Sequence, residues 1–268
     1  LTGTLNVPRV ANGVVSWMAK VNPKMGRGDD VVLPFVAECA DSYLTDGQAR
    51  YVTEEHVIEA IESAIRGPVA EGSVGAGTGM KSYSFKAGIG TASRVTRDGY
   101  IVGALVLANG GGRQELRVDG VPVGRHITDL KPQSTPPDGS FIVVVATDAP
   151  LNSRQLGRLC KRAAVGVTRT GTVGRHGSGD FMVAFSTATD IAHYPDEATY
   201  TRTAYADSHM TSLFTATAEA VEESIINAIV AGRTMTGRDG HTIFGMPHDR
   251  LRAVMQDHGR LAFAGTGE

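Results

Sequence analysis

The chain has 268 residues, is 41% hydrophobic and carries a formal net charge of −2, so it can bury one large core or two small ones. It has no basic cluster beyond Lys161-Arg162 and nothing near ~18 uninterrupted apolar residues, which argues against a nucleic-acid partner and a membrane-spanning helix. Its two cysteines, Cys39 and Cys160, fit no metal-ligand spacing, and Cys160 reads as a small core residue.

In chain order, Thr53 is placed to cap a helix from Glu54 to about Arg66, with Val57, Ile58, Ile61 and Ile65 on one face. Residues 82–94 and 100–109 have a β pattern, and Ile101, Val102, Leu105, Val106 and Leu107 make the second too apolar for a one-sided sheet. Asp119-Gly120 between Val118 and Val121 is a hairpin signal. A Pro/Gly/Ser loop from about Thr128 to Gly139 follows, with Pro136, Pro137, Asp138 and Gly139 forming an exposed turn. Phe141 to Ala146 reads as a strand buried on both faces.

Further on, Ser153 caps a helix carrying Leu156, Leu159, Cys160 and Ala163, which stops near Gly166. Phe181 to Ser186 is a strand. Met210, Leu213, Phe214, Val221, Ile225, Ala228 and Ile229 then repeat at helical spacing until Gly232, and a shorter helix with Leu251, Val254 and Met255 ends at Gly259. Doubly apolar strands alternating with helices predict sheets covered by helices, either α/β or α+β, in one unit.

The seam between the exposed loop and the buried strand carries one hydroxyl residue, Ser140. Cutting the Gly139–Ser140 bond would give Ser140 a free α-amine, with an intrinsic pKa of roughly 7.7–8.0, beside its own hydroxyl. Nucleophile and general base would then be one residue. By itself Gly-Ser after Pro-Asp is ordinary turn chemistry. Other motifs are missing: Gly72 to Gly79 lacks the Lys-Ser/Thr ending of a P-loop, no His-Glu-x-x-His occurs, and His176 stands where Gly-x-Ser-x-Gly around Ser178 needs glycine. A conventional serine site using His176 and Ser178 stays open as an alternative.

The run Asp138-Gly-Ser-Phe-Ile-Val-Val-Val-Ala-Thr-Asp-Ala-Pro-Leu151 resembles the self-processing junction of the DmpA/BapA family of aminopeptidases. Gln155-Leu-Gly-Arg-Leu-Cys-Lys-Arg-Ala-Ala164 and Ser178-Gly-Asp-Phe-Met-Val-Ala-Phe-Ser-Thr187 resemble its smaller subunit. Gly67-Pro-Val-Ala-Glu-Gly-Ser-Val-Gly-Ala-Gly-Thr-Gly-Met80 and Asp119-Gly-Val-Pro-Val-Gly124 resemble the larger one. The resemblance implies an α+β, four-layer αββα sandwich in a single domain, made as one precursor. Residues 1–139 would be the α-subunit part and 140–268 the β-subunit. Leu1 to Val10 resembles an internal piece of the larger subunit, so relative to the family an N-terminal portion on the order of a hundred residues is missing, and the chain is expected to be either a fragment or a shortened architecture. No export signal is visible; a cytoplasmic enzyme is the expectation, or a periplasmic one if a leader was removed.

By the same resemblance, Ser140 is the nucleophile and Gly139–Ser140 the cleavage point. Ser178 would bond to the nucleophile and its amine, and Asp180 would help orient the group, with a shorter reach than the Glu some members carry. Asn109, at the end of an apolar strand, would stabilise the oxyanion. Glu38 would receive the substrate's ammonium, with Tyr43 as a candidate phenol, because Cys39 and Ala40 replace the Thr and aromatic residue frequent in the family. Without the resemblance, Asn109 reads equally as an Asn-Gly turn, Ser178 and Asp180 as loop and cap residues, and Glu38 as a surface carboxylate. The implied activity is removal of N-terminal residues from short peptides, amides or esters, D- or β-amino acids included. No cofactor is implied, and a homo-oligomer, a tetramer of αβ units, is expected. The alternatives are an acyltransferase of the ornithine acetyltransferase type, which uses threonine at the junction, and a non-catalytic relative.

Overall fold

The computed structural model describes residues 1–28, 30–134, 136, 138–188 and 190–261. In chain order its elements are β1 (Thr2–Gly3), α1 (Val7–Val21), β2 (Glu38–Cys39), α2 (Glu54–Glu62), β3 (Lys81–Ser82), β4 (Phe85–Lys86), β5 (Ile89–Val95) and β6 (Ile101–Ala108). They continue with α3 (Val123–His126), β7 (Phe141–Thr147), α4 (Ser153–Arg169), β8 (Phe181–Ser186), α5 (Met210–Val230), β9 (Met235–Thr236), β10 (Thr242–Ile243) and α6 (His248–Asp257).

The centre is a four-stranded sheet in the order β5-β6-β7-β8, antiparallel except for the parallel β7–β8 pair. One face carries Val102, Ala104, Val106, Ala108, Phe141, Val143 and Val145, all buried against α4 and α5. Fully burying each large apolar side chain contributes roughly 1.5–3 kcal/mol, which makes this layer the main source of stability. The helices approach closely where side chains are missing. A Cβ on Gly90 would fall 1.8 Å from the Ser224 carbonyl oxygen of α5, and one on Gly166 of α4 would fall 2.7 Å from Val221 Cβ. Gly166 therefore does not stop α4, contrary to the sequence expectation; it admits α5, and the helix runs on to Arg169. Its cap is Asn152, whose Oδ1 accepts from Gln155 N at 3.0 Å, one residue before the expected Ser153.

On the opposite sheet face Ile89, Leu107 and Ile142 are covered by Cys39 and Met80. Farther along that face Val95, Ile101, Phe181 and Phe185 are exposed. An apolar face of this kind is the one that meets a second layer in an αββα sandwich. The architecture is an α+β sandwich, in which the described residues supply the four-stranded sheet with its helical layer and three two-stranded sheets, β1-β2, β3-β4 and β9-β10.

Three further differences from the sequence expectations have local causes. The β pattern of 82–94 breaks into the β3–β4 hairpin and β5, because Tyr83 and Ser84 take φ of 52° and 59° and Gly88 takes 148°. Helix α2 ends at Glu62, leaving Ile65 exposed ahead of Gly67-Pro68. Helix α1, with Pro8 in its first turn, lies outside the elements expected from the sequence. The strands at 101–108, 141–147 and 181–186 and the long helix α5 fall where expected, and Asp119 and Gly120 turn with φ of 47° and 77° between the bridged Val118 and Val121.

Candidate active site

The segment leading from α3 to β7 is held at several of its described residues. Arg113, buried over the Phe85 ring, donates to the carbonyls of Ile127, Asp129 and Leu130 at its start. Tyr43, stacked on His241, is within 3.3 Å of the Ser134 carbonyl and hydroxyl oxygens. Tyr43 thus grips the loop. Thr135 and Pro137, the latter part of the expected turn, lie outside the described residues.

The loop ends where β6, β7 and the glycine-rich segment 171–180 meet. Gly139 lies against Asn109: a Cβ there would come 1.7 Å from the Asn109 carbonyl oxygen and 2.9 Å from its Nδ2. Asn109, 1% exposed, is fixed on three sides. Its backbone N donates to Ser140 O at 3.1 Å, its Oδ1 accepts from Lys81 N at 3.1 Å, and its Nδ2 donates to Ala40 O at 2.9 Å. These bonds fix the Asn109 side chain against the backbone of Gly139.

Ser140 Oγ accepts from Gly179 N at 3.0 Å. Asp180 Oδ1 accepts from Phe141 N at 2.9 Å and from Ser178 Oγ at 2.7 Å. The structure therefore brings Ser140, Asn109, Ser178 and Asp180 together, with Ser178 turned to Asp180 and the Gly179 amide on the serine oxygen. Glu38, on β2, accepts from Thr4 Oγ1. Its neighbour Cys39 puts Sγ 3.5 Å from Ser140 O, so β2 borders the site. Burial, then the fields of Glu38, Asp180 and Asp41, push the Cys39 thiol far up, which makes it a packing residue and not a nucleophile.

Sequence reasoning missed two cations. Arg175, in the glycine-rich segment, reaches Asp138 Oδ1 with Nη1 at 3.4 Å and Glu115 Oε1 with Nη2 at 2.9 Å. Lys81, 8% exposed on β3, lies in the fields of Asp138 and Arg175; burial brings its pKa down to about 8. The charge of Asp138, just before the junction, was the available signal. Among the described residues no group of His, Cys, Asp and Glu is arranged to hold a metal ion.

The model of peptidase family S58 matches residues 1–243. A "beta-peptidyl aminopeptidase BapA" from Sphingosinicella microcystinivorans is 42% identical over 98% of this chain and 70% of its own length. The structure is similar to the L-aminopeptidase D-Ala-esterase/amidase of Ochrobactrum anthropi, described as a prototype of the serine aminopeptidases and a variant of the Ntn hydrolase fold. Its TM-score is 0.90, with 40% identity over 97% of this chain and 73% of that one. A Burkholderia sp. beta-aminopeptidase has a TM-score of 0.87 and 38% identity, covering 97% of this chain and 73% of that one.

Proposed function

The chain belongs to peptidase family S58, and from that premise we propose that Ser140 is the nucleophile of this serine aminopeptidase, released by cutting Gly139–Ser140 into pieces 1–139 and 140–268. The observation that carries this reading is the placement of the junction. The Ser140 hydroxyl is held by the Gly179 amide while Gly139 is pressed onto the Asn109 amide.

In self-cleavage Ser140 Oγ attacks the Gly139 carbonyl carbon and the C–N bond breaks, moving the acyl group from nitrogen to oxygen. Water then hydrolyses the ester, leaving a Gly139 carboxylate and a Ser140 α-amine. In turnover that amine takes the hydroxyl proton as Oγ attacks the carbonyl of a substrate's first residue, and returns it to the leaving amine; water then hydrolyses the acyl-serine ester, freeing the residue and restoring the Ser140 hydroxyl. Asn109 Nδ2 donates to the oxyanion. Asp180 holds the first residues of β7 through Phe141 N, and Ser178 holds Asp180. Glu38, at the border of the site, pairs with the substrate's ammonium, which confines the enzyme to free N-termini.

Gly139 also marks where the acyl residue sits. An L-side chain on its α-carbon would strike the Asn109 backbone. Acyl residues with an unsubstituted α-carbon, glycyl and β-aminoacyl, fit this position, and D-residues project from its other side. The test is turnover of β-alanyl and glycyl amides with and without N-acetylation. Free amines should be hydrolysed and acetylated ones spared; equal rates would refute the ammonium pocket.

A further inference from the structure

Among the described residues the Ser140 hydroxyl has one hydrogen-bond partner, the Gly179 amide, which donates to Oγ at 3.0 Å. The fold aims that amide. Strands β7 and β8 pair in parallel from Ile142 and Phe181 onward. One step earlier, Phe141 N donates to Asp180 Oδ1 at 2.9 Å. Carried back one more residue, the same register sets Ser140 opposite Gly179. Ser178, on the other side of Gly179, is held by its N on Arg175 O at 2.8 Å and by its Oγ on Asp180 at 2.7 Å. All of these bonds lie within residues 140–268, so cutting Gly139–Ser140 severs none of them.

We infer that the Gly179 N–H is a catalytic donor, which stabilises negative charge on Ser140 Oγ each time that oxygen enters or leaves an ester. This rests on the reading of Ser140 as the nucleophile. A hydrogen bond to an ionised oxygen is roughly twice as strong as one to a neutral oxygen. The N–H therefore favours Oγ as it sheds its proton, to water in self-cleavage and to the Ser140 amine in turnover, more than it favours the resting hydroxyl. It favours Oγ again when water expels it from the ester and it regains a proton. Asn109 serves the carbonyl oxygen and Gly179 the serine oxygen, so each oxygen that gathers charge has its own donor. Ser178 and Asp180 brace the Gly179 amide from its two sides.

The experiment follows the charge at position 140 in Ser140→Cys protein. Ser178-Gly179 is the one Ser-Gly step in the sequence, so ¹³C at serine carbonyls and ¹⁵N in glycine isolate the Gly179 N–H by NMR. Its proton should move downfield as the introduced thiol ionises, with the midpoint measured separately from the pH dependence of alkylation at position 140. Burial raises the pKa of both Cys39 and Cys160, which leaves the window below them clear. Replacing the Ser178–Gly179 amide by an ester, with glycolic acid at 179, removes this N–H. It should raise the midpoint by about one pH unit, tenfold in the thiolate equilibrium, and slow self-cleavage of the chain with Ser140 about tenfold. Ser178→Ala should move the midpoint less. The NMR measurement leaves the backbone intact, so it decides the matter even where the ester protein fails to fold. A Gly179 proton that stays in place while the thiol ionises, or a midpoint unmoved by the ester, overturns the inference and leaves the nucleophile reading standing. Full activity in Ser140→Ala overturns that reading and the inference with it.

Discussion

Gly139 and Asn109 are in such close contact that the α-carbon of Gly139 has no space for a side chain: the added carbon would lie 1.7 Å from the Asn109 carbonyl oxygen, which is backbone and cannot swing aside. The residue before the cut must therefore be glycine for the loop to seat. Gly139→Ala should displace the junction from the Asn109 amide and slow self-cleavage by orders of magnitude. Densitometry of the uncut band against time measures it, and cleavage at the wild-type rate would contradict the assigned contact.

Asn109 should matter in both reactions, because the same carbonyl position is used twice. Asn109→Ala should lower kcat by about 10²–10³, on the order of 2.7–4 kcal/mol. Pre-cleaved enzyme, assembled from separately made 1–139 and 140–268, separates turnover from self-cleavage. A loss confined to KM would argue against oxyanion stabilisation.

Ser178 Oγ donates to Asp180 Oδ1, which also accepts from Phe141 N, so in the proposed mechanism Ser178 acts through Asp180 as a relay. Asp180→Asn should therefore be more harmful to kcat than Ser178→Ala, since it weakens the acceptor of Phe141 N and removes the carboxylate beside the new amine. It should also shift the pH dependence of kcat/KM to a lower apparent pKa, a readout that simple loss of packing would not move. Equal effects with unshifted profiles would refute the relay.

Lys86 is fully buried, with Nζ donating to the Gly77 and Ala87 carbonyls at 3.0 and 2.7 Å, and burial lowers its pKa to about 7. Between about pH 7 and the unfolded value of 10.5 the unfolded chain binds the extra proton, so stability rises with pH across that window. The cost of charging Lys86 is fully present below it. Lys86→Met should flatten this rise, which is limited to about 1.4 kcal/mol per pH unit for one proton. Urea unfolding of uncut Ser140→Ala protein from pH 6.5 to 10, with and without Lys86→Met, checks it, and identical slopes would refute the assignment.

Much of this site was legible as sequence because it is local. Ser140 stands where turn residues give way to a β-branched run, and Asn109 stands where an apolar strand meets three glycines. The four core strands and helices α4 and α5 follow from periodicity, and their packing adds only side-chain-free contacts such as Gly90 on α5. What stayed hidden depends on long-range approach. Arg175 meets Asp138 only after the 171–180 segment folds against the loop, and Tyr43 meets Ser134 across 91 residues of chain. The Gly179 amide on Ser140 was unreadable because a backbone donor leaves no residue-type signal. Gly166 reads as a helix stop although it admits a neighbouring helix, and Gly88, where the chain turns, is hidden inside the 82–94 β pattern.

The most direct measurement is the mass and N-terminal sequence of the purified chain after incubation, taken alongside its aminopeptidase rate. The account predicts two pieces, the smaller beginning Ser-Phe-Ile-Val, with activity rising in step with the cut and both lost in Ser140→Ala. A chain that stays whole while fully active would contradict it.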